Sequence, residues 1–333
     1  YLTDIVFSEP STYSSLENLL ALYAFTLQIY ADFSGYSDIA IGVARLLGFQ
    51  LPENFERPYQ ASDVAEFWRR WHMTLSTWLR DYLFFPLGGS RVSEGRTYFN
   101  LWLTMFLVGM WHGASYNFLI YSNLHAFALV YNRAVAQLAK RRSRRHLPVV
   151  LGLGVAAFAA AWVLLSWGLQ LPPVTGFWGA LTAGLVAIGV ALLPKGKFWV
   201  PAHVLLTFHF TVLSRLFFRA DSLEQATQMV NKLLFWDGLG VREGLFRIQG
   251  AAEWLTARGL HGSPIGQLVN VGIGAVLFAG IAVHFVPVKW TDGLGQRLVA
   301  RAPAPVLGVG FALIAWLLSA ALSGPRANIY FAF

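Results

Sequence analysis

The chain has 333 residues, 56% of them hydrophobic, 15% aromatic and only 13% charged, and its mean hydropathy is +0.51. A soluble domain carries about 25% charged residues, so this chain has too little polar surface to cover itself in water and reads as an integral membrane protein. Cysteine is absent, which excludes disulfides, thiolate nucleophiles and cysteine-based metal sites, and the net charge of +8 clusters in loops, where it signals topology rather than nucleic-acid binding.

Residues 1–18 are polar and irregular. Residues 16–33 form the first apolar run that approaches the roughly 20 residues a spanning helix needs. A polar knot follows at once, with Asp32, Ser34, Tyr36, Ser37 and Asp38. Side chains of this kind compete for backbone hydrogen bonds, so the knot reads as a capped helix break joining two helices. Asp32 and Asp38 are candidate substrate-binding carboxylates. Residues 51–59 contain Pro52 and Pro58 and are too broken for a helix.

Ser62 then reads as an N-cap, with Asp63 and Glu66 in the first turn. Phe67, Trp71, Leu75 and Trp78 recur at helical spacing and define one apolar face of a single interfacial helix. That helix ends near Phe84-Phe85-Pro86-Leu87-Gly88-Gly89. His72 falls beside its apolar face. Arg69, Arg70 and Arg80 lie off it, where they are candidates for binding donor phosphates or simply face solvent and headgroups.

Residues 97–110 and 114–138 are two further candidate spans, joined by Trp111-His112-Gly113. A histidine between apolar runs is costly unless something uses or satisfies it, and the glycine lets backbone or ligand approach closely. A simple hairpin would put His112 at its tip. His125, in the next helix, reads as a packed and hydrogen-bonded side chain. Lys140-Arg141-Arg142-Ser143-Arg144-Arg145-His146 falls on the cytoplasmic face by the positive-inside tendency. Beyond it lie apolar runs at 147–171, 174–193, 198–218, 265–286 and 304–323, and an amphipathic stretch at 222–236. About eight membrane-embedded helices result. His72, His112 and His125 match no zinc-ligand spacing, so no metal is expected.

Several ordered strings resemble the membrane-bound O-acyltransferase family, in particular its bacterial alginate-acetylating branch. They are Gln28-Ile29-Tyr30-Ala31-Asp32-Phe33-Ser34-Gly35-Tyr36-Ser37-Asp38, then Pro52-Glu53-Asn54-Phe55 with Arg57-Pro58-Tyr59. Glu66-Phe67-Trp68-Arg69-Arg70-Trp71-His72-Met73-Thr74-Leu75-Ser76 and Met110-Trp111-His112-Gly113-Ala114-Ser115 follow. The match is dense to about residue 131 and patchier afterwards. A Trp-His-Gly alone is a weak signal; the ordered set is specific.

The resemblance implies an all-α, polytopic membrane bundle with interfacial amphipathic helices and a central tunnel. It implies a single acyltransferase domain over residues 1–333, in the bacterial inner membrane. Family members carry further helices ahead of the region matching Asp32, which implies that the sequence begins partway into a longer protein. By resemblance His112 is the principal catalytic residue and His72 the second, at a position that holds asparagine in other branches. Trp111, Arg69, Arg70, Asp32 and Asp38 complete the expected site. The expected reaction moves an acyl group, acetyl first, from a thioester such as acetyl-CoA to a hydroxyl of an exported polysaccharide. The donor is a substrate rather than a bound cofactor, and periplasmic acetylation proteins are expected partners. His112 would act as general base; His72 would either hydrogen-bond the donor carbonyl and its oxyanion or orient the acceptor. D-alanyl transfer to teichoic acid from a carrier protein, and a non-enzymatic transporter, are the competing readings.

Overall fold

The computed structural model describes residues 2–141 and 197–235, with single positions at 238, 240, 279, 282, 284 and 285. The described residues contain helices and no strands, as the sequence predicts. The apolar runs at 147–171, 174–193 and 304–323, and nearly all of 265–286, lie outside them.

A short helix, α1 (Leu2–Ser8), precedes the long α2 (Ser15–Leu46). A capping box starts α2. Ser14 accepts from the Glu17 backbone N–H, and the Glu17 carboxylate accepts from the Ser14 N–H at 2.8 Å, which satisfies two end groups that burial would otherwise orphan. The break expected at residues 32–38 does not occur. No proline interrupts this stretch, and α2 runs through it as continuous helix. Ser37 is buried and its hydroxyl accepts a hydrogen bond from Asn54 Nδ2 at 3.2 Å.

The single interfacial helix expected after residue 62 is two helices, α3 (Val64–Arg70) and α4 (Met73–Leu79). Asp63 rather than Ser62 caps α3, accepting from the Glu66 N–H at 2.7 Å. Ser62 instead donates to the Glu66 carboxylate. Between the helices Trp71 is extended and His72 is left-handed, with φ 46° and ψ 56°. That conformation ends the α-helical hydrogen-bond ladder. A π-helical turn, Arg80–Phe84, closes α4.

Helices α5 (Glu94–Trp111) and α6 (Tyr116–Arg141) form a tight hairpin. Ser93 caps α5, and Ser115 accepts from the Phe118 N–H at the start of α6. Trp102 Nε1 donates to Asn123 Oδ1 at 3.2 Å and Tyr98 to Gln137 Oε1 at 3.0 Å across the hairpin. At Gly109 the two backbones come so close that a Cβ there would overlap Ser122. Then come α7 (Val200–Arg219) and the amphipathic α8 (Leu223–Leu234), which Ser222 caps. Among the described residues, α7 alone is both long and apolar enough to cross a membrane.

The core lies where α2, α3, α6 and α7 meet. Phe25, Tyr59, Phe67, Trp71, Tyr121 and Leu216 are buried in one cluster. Tyr59 sits at its centre and donates to the Thr26 carbonyl at 2.6 Å; a buried phenol needs such a partner. Arg215 of α7 is only 4% exposed. Its guanidinium lies 4.4 Å from the Trp71 ring centroid, a cation–π contact.

Candidate active site

The kink at His72 is held by a strap. Residues 54–56 run beside it: the Met73 N–H donates to the Asn54 carbonyl at 3.0 Å and the Glu56 N–H to the Arg70 carbonyl at 2.9 Å. The Asn54 side chain joins three elements. Its Nδ2 reaches Ser37 of α2. Its Oδ1 accepts from the Thr74 N–H at 3.3 Å and the Thr74 hydroxyl at 3.0 Å, and faces His72 Nδ1 at 3.2 Å. The proline-rich segment therefore shapes the site. Phe33 meets the His72 ring edge-on, with centroids 4.8 Å apart.

His112 caps the C-terminus of α5, its backbone N–H bonded to the Gly109 carbonyl at 3.1 Å. It lies at the tip of the α5–α6 hairpin, outside both helices, as a simple hairpin predicts. Aromatic rings surround it. Phe118 of α6 stacks at 6.0 Å, Phe218 of α7 meets it edge-on at 5.1 Å, and Trp111 lies at 5.0 Å. A Cβ on Gly113 would come within 2.9 Å of the Phe118 ring, so the glycine after His112 makes room for the ring beside it.

Burial holds the imidazole of His112 well below its usual value and does the same to His72, whose protonation is further opposed by His112. Both are neutral near pH 7. Neutral imidazole has one N–H and one free lone pair, which suits it to take a proton from a hydroxyl.

His125 is built differently. Its Nδ1 accepts from the Trp68 indole at 3.2 Å and its Nε2 meets the Ser214 hydroxyl at 2.9 Å. Both nitrogens are satisfied in the core, as its packing role predicts. Of the other expected site residues, Trp111 is 67% exposed with its ring against His112. Arg70 is paired with Glu66 at 2.7 Å and also reaches the Glu56 carbonyl at 3.3 Å, so it braces α3 and the strap; Arg69 is exposed. Asp32 and Asp38 lie on the exposed stretch of α2, and between them Ser37 turns inward to Asn54. Arg80 pairs with its neighbour Asp81. Sequence reading missed Asn54, Thr74 and Phe218 as site residues.

Residues 8–166 match the membrane-bound O-acyltransferase family. Over that segment the chain is similar to members of that family. A probable alginate O-acetylase of Pseudomonas aeruginosa is 45% identical over 153 residues, which is 44% of this chain and 29% of the relative. A peptidoglycan O-acetyltransferase of Helicobacter pylori is 32% identical over 241 residues, 72% of this chain and 36% of the relative. A teichoic acid D-alanyltransferase of Bacillus subtilis is 36% identical over 118 residues, 33% of this chain and 30% of the relative. The chain thus aligns with about a third of the length of these curated relatives. His72 and His112 both lie within the segment that matches the family.

Proposed function

We propose that this chain is the catalytic part of a multi-pass O-acyltransferase of the bacterial inner membrane, one that moves an acetyl group from a thioester donor to a hydroxyl of an exported polysaccharide. Two imidazoles kept uncharged by burial, one on a backbone kink and one at a hairpin tip, both within the segment that matches the family, support this reading. The names of relatives support it, since one is a probable alginate O-acetylase and another a peptidoglycan O-acetyltransferase.

His112 removes the proton as the acceptor oxygen attacks the thioester carbonyl carbon. The tetrahedral centre then expels sulfur, the carbon–sulfur bond breaks, and the proton passes to the departing thiolate. The products are an ester and a free thiol. A positioned base of this kind supplies about 10²- to 10⁴-fold in rate. A central tunnel, closed to bulk water, would bring donor and acceptor from opposite faces and protect the thioester from hydrolysis. The donor, acetyl-CoA in the first instance, enters from the cytoplasm, with Trp111, Arg69, Asp32 and Asp38 near its path or the acceptor's. Periplasmic acetylation proteins complete the transfer.

Substituting His112 by alanine tests the reading. Ester-linked acyl groups on surface glycans, read by mass spectrometry, fall by about 10²-fold or more while the protein remains inserted. Unchanged acyl content with normal protein levels overturns it. The D-alanyltransferase relative supports a second reading in the acyl group alone, and the same spectra distinguish D-alanyl from acetyl by mass.

A further inference from the structure

The hydrogen bonds around Asn54 fix more than a backbone. The Thr74 backbone N–H can only donate, and it points at Asn54 Oδ1, so that atom is the oxygen and the amide nitrogen faces Ser37. His72 Nδ1 lies 3.2 Å from the same oxygen. An unprotonated Nδ1 there would set lone pair against lone pair. The Thr74 hydroxyl is already bonded to Asn54 Oδ1 at 3.0 Å and lies farther from Nδ1, at 3.4 Å. Neutral imidazole carries one proton, so placing it on Nδ1 leaves Nε2 bare.

We propose that Asn54 is a positioning residue that holds the His72 proton on Nδ1 and so presents Nε2 as a hydrogen-bond acceptor to a second hydroxyl of the acceptor sugar, leaving the attacking hydroxyl's proton to His112. The second half rests on the acyl-transfer reading; the first does not. The consequence for the chemistry is specific. A bare Nε2 has no hydrogen to give to a thioester carbonyl or its oxyanion. Of the two roles open to His72 in sequence, aligning the acceptor is the one this tautomer permits. Asn54 also ties that ring to α2 through Ser37, so His72 is held on two sides.

The test uses the full-length protein, labelled with ¹⁵N-histidine and reconstituted in lipid bilayers, with His72→Gln identifying the His72 signals by solid-state NMR. The wild-type ring shows one tautomer, protonated at Nδ1. Asn54→Leu shows a mixture, and Asn54→Asp, which keeps the acceptor oxygen, restores the proton to Nδ1. A wild-type ring protonated at Nε2 overturns the proposal even if Asn54→Leu does not fold. So does an unchanged tautomer in a folded Asn54→Leu. In transfer assays Asn54→Leu lowers kcat about 10-fold or more and leaves the donor KM within about 2-fold; a rise in donor KM with kcat intact overturns the assigned role. The NMR result is independent of any reaction. An Nδ1 proton in a chain that acylates nothing upholds the role of Asn54 and overturns the acyltransferase reading together with the second half.

Discussion

Three histidines, one buried and two half-buried, show how surroundings decide what a side chain does. His125 has both ring nitrogens engaged, by Trp68 and by Ser214. His72 has one nitrogen committed to Asn54. His112 sits among rings at the hairpin tip, where burial is the cause that keeps it uncharged. An imidazole near its ordinary value of about 6.5 would lose half its basic form at that pH. A depressed value moves that loss to lower pH, because the working form is the unprotonated one. The acid limb of kcat/KM, which reports the free enzyme, is therefore expected clearly below pH 6.5. A limb at or above pH 6.5 contradicts burial as the cause.

At the level of helices, the α5–α6 hairpin sets where His112 stands. Gly109 is three residues before it, and its missing side chain allows the contact with Ser122. Gly109→Val forces the two backbones apart, an overpacking that costs about 1–3 kcal/mol. Lower thermal stability in detergent, with reduced transfer activity, is the expected outcome; an unchanged melting temperature contradicts the close approach. Both helices of this hairpin were legible in sequence because their apolar runs are long and have polar ends. The hairpin tip was legible too. The break between α3 and α4 was not, since Phe67, Trp71, Leu75 and Trp78 keep helical spacing straight across it. Its cause is a left-handed residue that no periodicity encodes, held by a strap 18 positions upstream. The opposite error, at residues 32–38, has the converse cause. Polar side chains there suggested a break, yet they hang from an unbroken helix and one of them, Ser37, anchors the strap. Asn54 was part of a recognisable string, but its role depends on which of its atoms faces which neighbour.

For the molecule as a whole, composition is a stronger guide than any one helix. Among the described helices α7 alone meets the length and apolarity that a membrane span needs, whereas the whole chain is 56% hydrophobic and 13% charged. These 333 residues contain no cysteine, so one introduced among them reports its own position against a parent protein without it. With Ser143→Cys in the basic loop, a membrane-impermeant maleimide is expected to label inverted vesicles and not intact cells. Labelling of intact cells reverses the proposed orientation and, with it, the side from which the donor arrives.

The left-handed backbone at position 72 sets two demands against each other. Such a conformation costs most residues roughly 1–2 kcal/mol, and glycine, or asparagine through a local hydrogen bond, visits it most readily. Selection for heat tolerance alone would favour those replacements and discard the ring. Selection for turnover must keep the ring and tolerate the strain. An asparagine at this position would thus be a sturdy tenant with different chemistry, which gives a physical reason why a family could exchange the two residues there without rebuilding the turn.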